Sequence, residues 1–201
     1  KELGDRNNRG VCRMRYLVEQ MGAENFEQAI RDRSRVAFET RGIDLTEGYT
    51  GDHVGVHDQK QDGLKYVGFN VIAGRMGGDE FAEAARAARE YGTDEASVRL
   101  GTDQNFVITH VPEENLGDLF DEPFARKYRP DPGPFSRGAV GCTGSEFCNY
   151  GIIETKNRVR RWAKALDRRI DVPEEIDVVR MHMSGCSASC AQPQIADIGF
   201  R

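Results

Sequence analysis

The stretch LKYVGFNVIAGRMGGDEFAEAARAAREYG, residues 64–92, contains two different periodicities in direct succession. Its first part is rich in β-branched and aromatic residues, which predicts a strand over 64–74. Its second part is rich in alanine and repeats its apolar residues at helical spacing. This predicts a helix over 77–91 with Gly92 as its C-cap.

Two further apolar runs follow this helix, ASVRL at 96–100 and NFVITHV at 105–111, and both predict strands. The order of a strand, a helix and two strands is half of a split βαβ arrangement. We therefore predict an α+β fold of the ferredoxin-like type around this segment.

The flanking regions differ in character on the two sides. Before the segment, helical patterns over 8–22 and 23–41 predict two linking helices. After it, YRPDPGPFS at 128–136 contains too many prolines for regular structure and predicts a linker.

A second α+β unit is predicted beyond the linker. It would contain a helix over 149–169, with Ile152 among the apolar residues that face its core, and strands over 176–183 and 195–200. We thus expect three successive parts, which are linking helices, a ferredoxin-like half domain and a second α+β domain, over 1–45, 46–130 and 135–201.

The composition limits the partners. Of the 201 residues, 30% are charged and 38% are hydrophobic, and the formal net charge is −5 at pH 7. A mildly acidic chain lacks the basic excess of nucleic-acid-binding proteins, so nucleic acid is not an expected partner. No apolar run is long enough to span a membrane, so no membrane partner is expected either. We expect a cytoplasmic protein, and the start at Lys1 indicates a fragment.

Four of the five cysteines lie in the last third of the chain. Cys142 and Cys148 form a C-x5-C pair, and Cys186 and Cys190 form a C-x3-C pair. The odd total and the absence of a Cys-rich framework elsewhere favour a metal site in a reducing compartment over a disulfide scaffold. The fifth, Cys12, lies in an apolar helical pattern that predicts a small core residue.

The spacing of the two pairs leaves three alternatives open. Structural zinc prefers C-x2-C knuckles, which neither pair forms, and disulfides need an oxidising compartment. An iron–sulfur cluster accepts varied spacings, because each thiolate binds a different iron of a cage. Glycine and alanine around the cysteines leave room for backbone N–H groups to approach such a cage. The residues therefore favour a cluster over zinc and over unrelated thiols.

Four blocks of the sequence resemble the C-terminal half of siroheme-containing nitrite and sulfite reductases. In chain order they are GDRNNRGVCRMRYLVEQMG, HVGVHDQKQDGLKYVG, VRLGTDQNFVITHV, and CTGSEFC with IIETK and MHMSGCSASCAQPQIADIGF. Their order and spacing match the family over nearly the whole chain. By this resemblance, 135–201 is an incomplete siroheme- and [4Fe-4S]-binding domain.

The resemblance implies a ligand set and a reaction. Cys142, Cys148, Cys186 and Cys190 would ligate a [4Fe-4S] cluster, and Cys190 would also bridge to the siroheme iron. The reaction implied is six-electron reduction of nitrite to ammonia or of sulfite to sulfide. The arginines and lysines that bind the substrate in this family are expected upstream of the fragment, so no catalytic residue is identified.

The cysteine block CTGSEFC and the block HVGVHDQKQDGL are more similar to ferredoxin-dependent nitrite reductases than to sulfite reductases. We therefore expect assimilatory nitrite reduction with reduced ferredoxin as the electron donor. Sulfite reduction is one alternative, and a non-catalytic iron–sulfur electron-transfer module is another. Ser187 and Ala188 replace the Pro and Asn usual in the family, which leaves the hydrogen bonding between cluster and siroheme unpredicted.

Further polar residues have both a functional and an ordinary interpretation. The resemblance predicts siroheme contacts for Gln59, Gln61, Gln104 and Asn105, each of which could instead be a polar residue of a turn or strand start. The segment NRVRRWAKALDRR predicts a basic helix face. It could dock an acidic ferredoxin or be an ordinary solvated surface.

Overall fold

The computed structural model describes residues 3–4, 7–8, 10–38 and 52–201. It divides into two units, Lys1–Thr50 and Gly51–Arg201. Within the described ranges the helices α1 to α7 are Met14–Met21, Ala23–Arg33, Gly78–Tyr91, Leu116–Asp121, Pro123–Lys127, Pro134–Arg137 and Lys156–Asp167. The strands β1 to β7 are Gly55–Asp58, Leu64–Phe69, Val98–Leu100, Phe106–Pro112, Ala139–Gly141, Met181–Met183 and Ile198–Phe200. None of these helices has the length and hydropathy needed to cross a membrane.

The described part of the first unit contains the helices α1 and α2, and both are shorter than predicted. Helix α2 ends at Arg33. The Ser34 hydroxyl donates a hydrogen bond to the carbonyl of Val36 at 2.8 Å and accepts one from the N–H of Val36 at 3.1 Å. Such a local bond favours a turn over continued helix. Residues 39–41 of the predicted helix lie outside the described residues. Cys12 precedes α1 and is exposed, so its predicted burial is wrong.

The second unit begins with an antiparallel sheet in the order β1-β2-β4-β3. Helix α3 packs on it, and the alanines at 84, 87 and 88 are buried. The rings of Phe69 and Phe106 stack at a centroid distance of 5.1 Å in the centre of this core. The sheet and helix confirm the predicted ferredoxin-like arrangement.

A second, parallel sheet has the order β5-β6-β7. Helix α7 connects β5 to β6 and packs on the sheet through Val159 and Ala163, both fully buried. Parallel neighbours require such a crossover, because the chain must return to the same end of the sheet. The whole chain is thus of the predicted α+β class, while the domain boundaries given above remain predictions.

The two sheets share a buried connection. Beyond β2 a 3-10 turn, Ile72–Gly74, carries Ala73, which is 0% exposed and belongs to the core of the second sheet. A second connection is the ion pair between Arg137 and Asp52, with N–O distances of 2.6 and 2.8 Å. The sheets therefore form one packed body within 52–201.

Several predicted strands are longer than the strands in the structure. The strand predicted over 64–74 ends at Phe69, and the N–H of Val71 bonds the Asn105 side chain at 2.8 Å instead of a neighbouring strand. The strands predicted over 176–183 and 195–200 are reduced to β6 and β7. In each case a partner distant in sequence, or the end of a short sheet, decides the boundary.

The predicted helix over 149–169 begins only at Lys156. The N–H of Ile152 bonds Gly185 at 2.9 Å, so this backbone is not available to a helix. Ile152 itself is 81% exposed, so its predicted core position is wrong. The predicted proline linker also contains a helix, α6, whose first N–H groups at 135 and 136 bond the Asp167 carboxylate at 2.9 and 3.1 Å.

The carboxylate of Glu80 joins three parts of the first sheet's domain. It accepts hydrogen bonds from the Lys127 ammonium, from the Tyr128 hydroxyl at 2.5 Å and from the N–H of Gly77 at 3.0 Å. These donors, Lys127 first, lower the pKa of Glu80 to about 2. Because the folded-state pKa is lowered, the carboxylate stabilises the fold above its unfolded pKa, and this contribution is lost as the pH falls toward 2.

We expect the variant Glu80→Gln to be less stable than the wild type at pH 7 and to lose less stability between pH 4.5 and pH 2. Denaturant unfolding at several pH values measures both effects. Glu114→Gln, at an exposed glutamate, is the matched control and should keep the wild-type pH dependence. An unchanged pH dependence in Glu80→Gln would contradict the role of this carboxylate.

Candidate functional site

The four C-terminal cysteines converge on one small cavity. Its volume is about 60 Å³, and its lining consists of these cysteines and small residues, namely Cys142, Thr143, Gly144, Cys148, Gly151, Ser184, Gly185, Cys186 and Cys190. Cys142 directly follows β5 and Cys186 follows β6. The carboxyl ends of neighbouring parallel strands meet at one edge of a sheet, which is where ligand sites form in such folds.

Cys142 is held by three backbone and side-chain contacts. Its N–H donates to the carbonyl of Met183 at 3.0 Å, which continues the sheet pairing by one residue. Its carbonyl accepts the hydroxyl of Thr155 at 2.7 Å, and Thr155 is fully buried. Its sulfur accepts the N–H of Gly185 at 3.2 Å. A backbone donor aimed at a sulfur stabilises the thiolate form that a metal ligand needs.

A tight loop returns Cys148 to the same cavity. The N–H of Cys148 bonds the carbonyl of Gly144, and that of Gly151 bonds the carbonyl of Cys148, both at 3.0 Å. Gly144 has φ +70, and a Cβ there would lie 2.6 Å from the hydroxyl oxygen of Thr155. Only glycine suits this position, because the left-handed conformation and the close approach both exclude a side chain.

The loop that carries Cys186 and Cys190 is bonded to Ser184, which is 1% exposed. The hydroxyl oxygen of Ser184 accepts the N–H of Ala191 at 3.0 Å. Cys190 is exposed, whereas the other three cavity cysteines are partly buried. Ser187 and Ala188, which depart from the family pattern, are both exposed. Cys190 is therefore the most exposed residue of the four.

Four cysteines on one cavity are a donor set that could hold an iron–sulfur cluster. Within the described ranges, no three His, Cys, Asp or Glu side chains are arranged as ligands of one metal ion. Four thiolates around zinc would each lie about 2.3 Å from it, and hence close to one another. A cluster of several irons keeps its thiolates further apart, because each binds a different corner.

Two cations lie beside the cysteine loop. Arg75 bonds the Glu146 carboxylate at 2.5 and 3.2 Å, and this partner raises the pKa of Arg75. The ammonium of Lys156 donates to the carbonyls of Ala73, at 2.5 Å, and Gly141, at 3.2 Å. Burial, and then Arg75, lower the pKa of Lys156. Lys156 is thus bonded to the backbone of the residue directly before Cys142.

The chain is similar to proteins of one known family. Residues 57–125 match the model of the nitrite/sulfite reductase ferredoxin-like half domain. The chain is 40% identical over 200 residues to a ferredoxin–nitrite reductase of Synechococcus elongatus, a match that covers 100% of this chain and 38% of the relative. It is 42% identical over 206 residues to a chloroplastic ferredoxin–nitrite reductase of Zea mays, with 100% and 35% covered.

The NirA protein of Mycobacterium tuberculosis has a similar structure, with a TM-score of 0.79 and 28% identity over 98% of this chain and 36% of that one. The chain belongs to the nitrite/sulfite reductase family. It spans 38% and 35% of the two curated relatives named above, so it corresponds to a part of such a reductase.

The amide residues predicted from the reductase family lie in two turns of the first sheet. In the β1–β2 turn, Gln59 accepts the N–H of His110 at 2.6 Å and donates to Gln61 at 3.1 Å. Neither glutamine lines the cysteine cavity. Their amides thus have hydrogen-bond partners inside the protein.

The β3–β4 turn is closer to the cysteines. Asn105 is buried. Its side-chain oxygen accepts hydrogen bonds from the backbone N–H of Val71 at 2.8 Å and from the side-chain amide of Asn70 at 3.3 Å. Gln104 bonds the backbone of Gly141, the residue before Cys142. Gln104 is therefore the predicted amide that the structure brings to the cysteine strand.

Sequence reasoning missed Thr155 and Lys156 as neighbours of Cys142. Both belong to IIETK, which carried part of the family resemblance, but neither residue type signals a contact with a cysteine. A threonine directly before a helix is most simply an N-cap. In the structure its hydroxyl bonds the Cys142 carbonyl instead, so the role depends on a contact across 13 residues.

We expect Thr155→Val to lower the free energy of unfolding by about 1 kcal/mol, because the shape is kept while the partly buried Cys142 carbonyl loses its donor. Thermal or denaturant unfolding of the protein measures the effect. Thr102→Val, at an exposed threonine, is the control and should change stability little. Equal stability of the two variants would contradict the importance of this bond.

Proposed function

We propose that the reductase containing this chain is assimilatory and reduces nitrite to ammonia with six electrons, at a siroheme coupled to a [4Fe-4S] cluster. The observation that carries the proposal is the convergence of Cys142, Cys148, Cys186 and Cys190 on one cavity at the carboxyl ends of β5 and β6. The relatives named ferredoxin–nitrite reductase support nitrite over sulfite.

The four cysteines are the proposed cluster ligands. Cys190 is proposed also to bridge to the siroheme iron, which its exposure supports. When bound, the cluster supplies one-electron transfer and the siroheme supplies the iron at which the anion is reduced. The protein's contribution near the ligands is the N–H of Gly185 on the Cys142 sulfur and the ammonium of Lys156 on the carbonyl of Gly141.

Gln59, Gln61, Gln104 and Asn105 remain proposed siroheme contacts, on the strength of the family resemblance. A primary amide has two donor hydrogens and two acceptor lone pairs, so internal bonds do not exhaust it. Asn105 has the least to offer, because both lone pairs of its oxygen already accept protein donors. The substrate-binding arginines and lysines are proposed to lie upstream of this chain.

Reduced ferredoxin is the proposed electron donor. The region of helix α7 supports this, because Arg161 and Lys164 of the helix and Arg168 directly after it are exposed. Burial lowers the pKa of Lys164, and the positive charges of Arg160, Arg168 and Lys127 lower it further. An acidic protein would be attracted to this concentration of positive charge. The cytoplasm is the proposed location, although the maize relative is named chloroplastic.

The decisive assay uses the intact reductase purified without oxygen. The oxidation rate of a reduced viologen dye is measured with nitrite and, separately, with sulfite. We expect nitrite to be strongly preferred. A preference for sulfite would overturn the proposed substrate, and turnover of neither anion would favour an electron-transfer module.

The bridging role of Cys190 has a separate test. We expect Cys190→Ser to change the coupled magnetic spectra of siroheme and cluster, because a hydroxyl is a poor substitute for a thiolate between two irons. Cys12→Ser, at an exposed cysteine outside the cavity, is the matched control and should leave the spectra unchanged. Wild-type spectra in Cys190→Ser would refute the bridging role.

A further inference from the structure

Strand β5 lies at the edge of its sheet, with β6 as its neighbour in the order β5-β6-β7. At Gly141 the outer side of this edge is occupied by the side chain of Gln104. The amide nitrogen of Gln104 donates to the Gly141 carbonyl at 2.9 Å, and the N–H of Gly141 donates to the amide oxygen at 3.3 Å. A primary amide offers the same donor and acceptor as a peptide group. Gln104 thus pairs with β5 as a residue of a further strand would.

This pairing acts on the residue next to a proposed cluster ligand. Gly141 is buried, and its peptide group leads directly to Cys142. On the inner side, the N–H of Cys142 is bound to β6 through Met183 at 3.0 Å. The Gly141 carbonyl also accepts the Lys156 ammonium at 3.2 Å. The backbone that carries the Cys142 sulfur is therefore held from both sides.

Gln104 has a backbone conformation that residues with a side chain seldom adopt. Its φ is +69, which is unusual for a residue other than glycine. Such a conformation persists where the surroundings require it. Gly74 lies next to Gln104 in space. It has φ +63, and a Cβ there would lie 2.7 Å from the Cβ of Gln104. Gly74 thus leaves the space through which Gln104 reaches β5.

We propose that Gln104 is a positioning residue for Cys142, which acts through the backbone of Gly141 and holds the first cluster ligand in place. The inference rests on the proposed cluster function. It differs from the siroheme contact expected by resemblance, because the amide pairs with the protein backbone. Loss of the two Gln104 hydrogen bonds should first loosen Cys142, and only then affect siroheme binding.

The first test compares two substitutions of glutamine in the holoenzyme. Gln104→Met keeps the length of the side chain and removes both hydrogen bonds. We expect hydrogen exchange at the Gly141 amide, and the release of cluster iron to a chelator under native conditions, to be about 10-fold faster. Gln28→Met, at an exposed glutamine of α2, is the control and should match the wild type in both measurements.

The second test leaves Gln104 itself unchanged. Gly74→Ala places a methyl group against Gln104 and should displace it from Gly141, with the same two effects as Gln104→Met. Gly63→Ala is a matched control, because Gly63 has a similar φ of +75 but nothing within 4 Å of a Cβ. Gly63→Ala should share the backbone strain and the loss of global stability, without faster exchange at Gly141 or faster iron release.

Three results would overturn the inference. Unchanged exchange at Gly141 in both Gln104→Met and Gly74→Ala would refute the pairing. Faster exchange with unchanged iron release would refute the effect on Cys142. Loss of siroheme with iron released at the wild-type rate would show that Gln104 serves siroheme binding and does not position Cys142. A wild-type protein without a cluster would overturn the proposed function, while the exchange rate at Gly141 would still decide the pairing.

Discussion

The burial of Ala73 in the core of the second sheet is the constraint on which the rest of the site depends. Ala73 follows the strand β2 of the first sheet, yet it is 0% exposed among residues such as Phe135 and Val159. Its carbonyl accepts the Lys156 ammonium at 2.5 Å. Apolar burial is non-directional, but this polar contact fixes how the turn sits on β5 and α7. The first sheet's β3–β4 turn is thereby placed next to the cysteine strand.

The cavity itself is built mainly from backbone geometry. The cysteines follow two parallel strands, and small residues between them allow the loops to approach each other closely. The backbone hydrogen bond from Gly185 to the Cys142 sulfur, at 3.2 Å, orients that thiol. Lys156 adds a partly buried positive charge beside Cys142, because its ammonium bonds the carbonyl of Gly141 at 3.2 Å.

The sequence predicted elements whose stability is local, and it was less reliable where distant partners decide. Helix α3 was predicted within one residue, because its alanine pattern and its Gly92 cap lie within the segment. The helix predicted over 149–169 was wrong at its start, because Ile152 bonds Gly185 across 33 residues of chain. Periodicity reports which face of a segment is apolar, and it contains no information about such partners.

For the candidate site, the sequence by itself determined the chemistry of the donor set: four thiols in two pairs, with small residues that leave space around them. Only the tertiary structure decided which other residues serve that site. Gln104, Thr155 and Lys156 reach Cys142 or its neighbour through contacts between segments far apart or through bonds to backbone atoms. Every residue has the same backbone carbonyl and N–H, so no residue type or spacing reveals which of them a distant side chain will bind.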